Sequence, residues 1–221
     1  MESRLVTRAS DSPLVHSVSM WTIGDEAKIL ACPDGFWDLV VYKKDGETVV
    51  LLTGQTTQAV NLPFSEGDEI LTISFNPSTF LSFLPARNLV DRAELLERRG
   101  DWFNLVSDAV EIPTFDNAED LVRRLEREEL LRSDELVASY VSGHPMAASV
   151  RSVQRHFLQT TGMSPRDFFL IERAHRAASL LHSGLSASQV AVTAGYSDQA
   201  HLCRSLKRFL GLTPVQIQTG S

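Results

Sequence analysis

The strongest constraint on this chain is a segment that occurs twice. SVQRHFLQTTGMSP, ending at Pro165, aligns with HLCRSLKRFLGLTP, ending at Pro214, at a constant offset of 49 residues. Val153 pairs with Leu202, Arg155 with Arg204, Phe157 with Leu206, Gly162 with Gly211, Met163 with Leu212 and Pro165 with Pro214. A chain that repeats its apolar spacing, one arginine and a Gly-x-Ser/Thr-Pro exit must build the same small unit twice. In the second copy Leu202, Leu206, Phe209 and Leu210 fall in one arc of a helix. Ala200, His201, Arg204, Lys207 and Arg208 gather on the opposite side. Such a helix is buried along one side and cationic along the other. Gly162 and Gly211 suit the left-handed residue that ends a helix, and Ser164-Pro165 and Thr213-Pro214 read as the N-cap and first residue of the next. Asp167 and Gln216 stand three residues after those caps, at capping-box spacing.

Upstream of the second copy, SASQVAVTAGYSDQ supplies a short helix and a tight turn. Ser186 and Gln189 have capping-box spacing, Val190, Ala191 and Ala194 are small and apolar, Gly195 ends the helix, and Ser197 is placed to cap the next. A short helix, a glycine turn and a helix with an exposed basic face make a helix-turn-helix, whose second helix fits the DNA major groove. Between the copies, PRDFFLIERAHRAASLLHS runs for 19 residues from Pro165 to Ser183. As one helix it spans about 28 Å, which would set two reading heads near successive major-groove segments, roughly 34 Å apart on one face of a duplex.

Charge divides the chain in the same place. Residues 145–221 hold eight Arg or Lys (Arg151, Arg155, Arg166, Arg173, Arg176, Arg204, Lys207, Arg208) against three acids (Asp167, Glu172, Asp198), a balance of +5; the whole chain carries −7, so the rest carries −12. A basic segment joined to an acidic one suits a polyanion-binding module attached to something with another task.

The first half reads as strands and turns. FWDLVVY, TVVLLTG and ILTISF are short apolar runs, and Asp45-Gly46 between the first two can supply the positive φ angles of a tight hairpin. Leu71, Ile73 and Phe75 alternate with Thr72 and Ser74, as in a strand with one buried face. After Pro85 the segments LVDRAELLERR, DWFNLVSDAV and NAEDLVRRLEREELL read as helices, with Asp116 or Asn117 as a cap for the last. That last helix suits either a connecting or dimer-forming role, or packing on its own sheet. The expected fold is therefore α+β: an antiparallel β-rich domain with C-terminal helices over 1–131, then an all-α domain over 132–221 with two helix-turn-helix units joined by a long helix.

At these residues the sequence resembles the AraC/XylS family of bacterial transcription regulators. GLSASQVAVTAGYSDQAHLCRSLKRFLGLTP carries the resemblance, which covers roughly Ser149 to Ile217. It implies a DNA-binding domain of two helix-turn-helix units, with base readers at Arg151, Gln154 and Arg155 in the first copy and at Gln199, His201 and Arg204 in the second. Arginine can bond guanine in bidentate fashion and glutamine adenine, while Lys207 and Arg208 can meet phosphates. The first unit departs from the family pattern: VASYVSGHPMAA places Gly143 and Pro145 where a compact helix and turn are usual, so the supporting helix should end near Ser142 and a longer loop follow. PDGFWDLVV, GQTTQAV and TISFNPSTF resemble, more weakly, a β-rich sensor domain found in some members. The partners implied are double-stranded DNA, a small-molecule or protein effector, a second copy of the chain and, for an activator, RNA polymerase.

Other chemistry is thin. Asp38 stands among apolar residues in FWDLVV and either lines a ligand pocket with Trp37 and Gln55 or hydrogen-bonds locally. His175 and His182, seven residues apart, share a helix face but lack a third ligand, so no metal site is expected. Cys32 and Cys203 lack CxxC spacing and read as free, buried thiols. No phosphate loop, nucleophile elbow or carboxylate pair at recognisable spacing occurs, so neither an enzyme nor a cofactor is expected. The start MESRLVTRAS has no apolar core and no stretch approaches a membrane span, which points to the cytoplasm. A sequence-specific DNA-binding transcription regulator modulated through its N-terminal domain is the leading expectation. The rival is a small-molecule-binding or enzymatic β-domain with a helical tail for protein association.

Overall fold

The computed structural model of the chain describes residues 2–25, 27–106 and 108–219. Its N-terminal half is built on a six-stranded antiparallel sheet. In spatial order this runs β1 (Arg4–Arg8), β2 (Val15–Thr22), β7 (Glu69–Phe75), β4 (Trp37–Lys44), β5 (Glu47–Thr53) and β9 (Ala93–Leu96). The β4–β5 hairpin turns at Asp45 and Gly46, with φ of 52° and 80°, as the sequence predicts. Strand alternation sends Val18, Leu39, Val41, Val50, Leu52 and Ile73 into one core. β3 (Ala27–Ala31) pairs with β6 (Val60–Phe64) in a separate two-stranded sheet, and β8 (Thr79–Leu81) pairs with β13 (Leu131–Ser133) in another.

The region after Pro85 corrects the helical expectation. After a 3-10 turn at Ala86–Asn88, LVDRAELLERR and DWFNLVSDAV give β9, β10 (Arg98–Arg99), β11 (Trp102–Leu105) and the start of β12 (Asp108–Glu111). The cause is pairing: β9 adds to the edge of β5, Gly100 turns the chain at φ 61°, and β11 buries Phe103 and Leu105 on alternate positions. The third segment is a helix, α1 (Ala118–Arg127), and it packs on its own sheet. Ala118, Leu121, Val122 and Leu125 join the β core, and Arg8 of β1 grips Glu119 through both carboxylate oxygens. That pairing holds the Glu119 carboxyl down at about 2. Asn117 is the N-cap by position, but its side-chain oxygen accepts from the Thr114 backbone N–H instead of capping α1.

The C-terminal half is helical: α2 (Glu135–Val141), α3 (Val150–Thr160), α4 (Pro165–His182), α5 (Ala187–Thr193), α6 (Gln199–Leu210) and α7 (Pro214–Thr219). The supporting helix α2 ends at its C-cap Ser142, and residues 142–149 form an exposed loop. The halves are in contact. Phe168 of α4 packs over Gly35, whose carbonyl accepts from Gln55 Nε2 within the β half, and the Ala59 N–H donates to the Arg208 carbonyl of α6.

One approach in the β half is too close for any side chain. A Cβ on Gly54 would lie 2.1 Å from the Leu89 carbonyl oxygen, because the Gly54 N–H donates to Arg92 just beyond. Gly54→Ala should therefore force the backbone apart at a cost of about 1–3 kcal/mol or more. Thermal unfolding is expected to show a Tm lowered by several degrees, and an unchanged Tm would mean that the 3-10 turn yields freely.

Candidate nucleic-acid interface

The two repeated segments fold as α3 and α6, each preceded by a shorter helix. For α3 the N-cap is Ser149, whose hydroxyl accepts from the Ser152 N–H at 3.1 Å. Val153, Phe157 and Thr160 are buried, while Arg151, Gln154 and Arg155 are exposed on the opposite side. Asp134 ties α3 to its supporting helix. It caps α2 by accepting from Val137 N–H, and its other oxygen bonds His156 Nδ1 at 2.7 Å and the Thr160 hydroxyl at 3.2 Å. Phe157 and Phe168 meet edge to face at 5.7 Å and close the small core beneath.

For α6 the cap is one residue later than predicted. Asp198 takes the position expected of Ser197, accepting the His201 N–H at 2.6 Å, while Ser197 donates to the Asp198 carboxylate and contacts His201 Nδ1. The His201 N–H and the Ser197 hydroxyl together hold the Asp198 carboxyl below its ordinary range. The preceding helix α5 carries the predicted capping box between Ser186 and Gln189. The intervening turn is fixed by residues that sequence reasoning missed. Tyr196 is buried, its hydroxyl 3.1 Å from Ser205 Oγ, and the Arg173 guanidinium lies 4.2 Å over its ring while donating to the Gly195 carbonyl.

Gln199, Arg204, Lys207 and Arg208 are exposed along α6 and His201 is half-buried, its ring edge-on to Tyr196. Gln199, which by periodicity leans toward the buried arc, lies in solvent because it occupies the first turn; Ser188 of α5 donates to its carbonyl oxygen. Lys207 donates to the Gly211 carbonyl at 2.9 Å, and the Arg208 guanidinium lies over the Phe209 ring. Gly162 and Gly211 end α3 and α6 with φ of 74° and 68°, the left-handed geometry expected of both. Between the heads α4 is a continuous 18-residue rod, about 27 Å long, capped by Ser164 and started by Pro165.

The three residues considered for a ligand are not brought together. Trp37 points into the β core, its indole N–H donating to the Thr79 carbonyl at 2.7 Å and its ring stacked on Phe75. Gln55 is buried and lines, with Trp37, Thr160 and Thr161, a cavity of about 20 Å³, the size of one water molecule. Asp38 projects from the other face of β4, where Thr53 Oγ1 donates to it at 3.3 Å. His175 Nε2 bonds the Pro33 carbonyl and His182 is exposed. Among the described residues no group of three His, Cys, Asp or Glu is placed to hold a metal ion, and no helix is long and apolar enough to cross a membrane. Cys32 and Cys203 are free thiols, half-buried where full burial was expected.

Comparison with known proteins bears on the helical half. Residues 144–220 match the helix-turn-helix domain family. The chain is 41% identical over 87 residues to the HTH-type transcriptional regulator VirS of Mycobacterium tuberculosis, covering 38% of this chain and 23% of that protein. It is 39% identical over 72 residues to the HTH-type transcriptional regulator RipA of Corynebacterium glutamicum, covering 33% of this chain and 22% of that protein. The chain thus spans under a quarter of the length of these relatives. A weaker likeness of shape, TM-score 0.42 at 11% identity over 91% of this chain and 96% of the other, is to the crystal structure of apo ToxT from Vibrio cholerae.

Asp38 gives the β domain a titration of its own. Burial, reinforced by the charge of Asp34, pushes its carboxyl up to about 7, against hydrogen bonds from Ser74 and Thr53 that favour ionisation. A folded-state value above the unfolded one stabilises the protein below the ordinary carboxylate range and loses that contribution as pH rises through 7. Asp38→Asn should remove this loss. Between pH 4 and 7 the Tm of the unmodified chain should fall relative to that of the variant, and parallel Tm profiles would show that Asp38 ionises normally.

Proposed function

We propose that this chain, whose residues 144–220 match a helix-turn-helix domain family, is an AraC-type, sequence-specific DNA-binding regulator of transcription whose N-terminal half receives an effector. The observation that carries the reading is the pair of equivalent helices α3 and α6, each exposing arginine on the side opposite its buried stripe and joined by one straight helix. Arg151, Gln154 and Arg155 are then base readers in the first head, and Gln199, His201 and Arg204 in the second. Lys207 and Arg208 face phosphates. A rod of about 27 Å, with the width of the flanking helices, suits successive major-groove segments on one face of the duplex.

The regulatory part of the proposal rests on the face of the six-stranded sheet opposite the core, where the enclosed Asp38 is accompanied by Trp21, Tyr42, Thr53 and Ser74. Polar groups beside aromatic rings are the contacts a small molecule would use there. Trp37 and Gln55 lie on the other side of β4 and β5 and would respond to such a ligand only through the strands. A homodimer, and contact with RNA polymerase where the chain activates, belong to the same reading. So does the division at 131/132, by which residues 132–221 would read DNA and residues 1–131 would modulate it.

The test is a mobility-shift titration against salt on a site selected from random DNA. Arg204→Ala is expected to cost about 1–3 kcal/mol on the selected site and to relax preference at one base position. Lys207→Ala should weaken all sequences alike and lower the salt slope by about one unit. Arg155→Ala should resemble Arg204→Ala but act about one helical turn away. If Arg204→Ala weakens selected and random DNA equally, it is no base reader. If all three variants stay folded and bind unchanged, the helices do not contact DNA.

A further inference from the structure

The two heads have the same shape and different chemistry. At the 49-residue offset, Gln199 in the first turn of α6 corresponds to Val150 in the first turn of α3, and Lys207 and Arg208 correspond to Leu158 and Gln159. Val150 is 75% exposed and Leu158 50% exposed. Leu158 lies with Gln154, Arg151 and Arg155 on one exposed arc of α3, and Val150, seven residues before the buried Phe157, stands at the edge of that arc and is left in solvent because it occupies the first turn. The loop over 142–149 is exposed throughout and leaves the start of α3 uncovered. A valine at the tip of a reading head can make no hydrogen bond, so it discriminates only by apolar contact.

On base edges in the major groove the one apolar group is the 5-methyl of thymine. Recognition helices enter that groove by their N-terminal residues, the place Val150 occupies. We propose that Val150 is a specificity-determining residue that contacts a thymine 5-methyl beside the bases read by Arg151 and Arg155, so that the first head adds an apolar contact to its hydrogen bonds at the position where the second head carries Gln199. This rests on the DNA-binding function proposed above. The replacement of Lys207 and Arg208 by Leu158 and Gln159 in the first copy fits the same division, because a head with fewer phosphate contacts depends more on base contact.

The experiment uses the full chain and its preferred site, selected from random DNA, with each thymine replaced in turn by deoxyuridine. Uracil keeps every hydrogen-bonding group of thymine and lacks only the methyl. In the half of the site protected by the first head, one such replacement should weaken binding about three- to tenfold. Val150→Ala, at an exposed helical position that alanine favours, should bind thymine and uracil there within about twofold, and Val150→Ile should keep the preference. Specific binding with no uracil-sensitive thymine overturns the proposal, as does a sensitivity that survives in Val150→Ala. Absence of any specific DNA binding overturns the proposed function itself, and an effect of Val150→Ala equal on all DNA overturns the assignment of Val150, because a base reader does not weaken every sequence alike.

Discussion

The burial of α4 on two sides is the constraint from which the helical half follows. Its first turns send Phe168 into the core with Phe157 and Val153, while Ile171, Ala174, Ala177 and Leu181 enter the core shared by α5, α6 and α7. Ala174 and Ala177 are fully buried, and their small side chains let the second unit's helices approach closely. Because one rigid element belongs to both cores, the separation and relative rotation of α3 and α6 are fixed by its length and helical phase. Neither unit is large enough to hold a core alone, so each depends on the rod that positions the other.

The same rod meets the β half. The loop of residues 32–36, which leads into β4, offers the Pro33 carbonyl to His175 and packs Gly35 beneath Phe168, and the Cys32 thiol faces the Leu210 carbonyl at the end of α6. The glycines that end α3 and α6 are also enclosed by the β half: Gly162 lies against Val90 and Ala86, and Gly211 against Leu30 and Ala59. Close-packed contacts transmit displacement because they have no slack. Movement of β4 therefore has a short physical route to both heads, through the loop that precedes it.

Much of the helical half was legible because its signals are local. The repeat, the Ser-x-x-Gln box at Ser186, the Ser164-Pro165 start and the two C-terminal glycines each act within a few residues, and the structure reproduces them. Asp198 displaced Ser197 as cap because both residue types can serve and only the turn geometry chooses. The stretch after Pro85 misled for the opposite reason. Leu, Glu and Arg favour a helix locally, yet pairing of Ala93–Leu96 with β5 decides the outcome. The supports of α3 and α6 were invisible for the same cause. Asp134 acts on His156 and Thr160, and Tyr196 on Arg173 and Ser205, through contacts that no sequence spacing announces. Trp37 and Asp38 are adjacent in sequence and opposite in space, as strand alternation requires.

The central claim is that one chain places two heads at a fixed separation on one face of the duplex. It is tested most directly by inserting about five base pairs, half a helical turn, between the two halves of the selected site. Since α4 can neither stretch nor twist, affinity should fall to that of a site with one half scrambled, and an insertion of about ten base pairs should fail equally. Undiminished affinity with either insertion would contradict the account, because it would mean that a single head does all the reading.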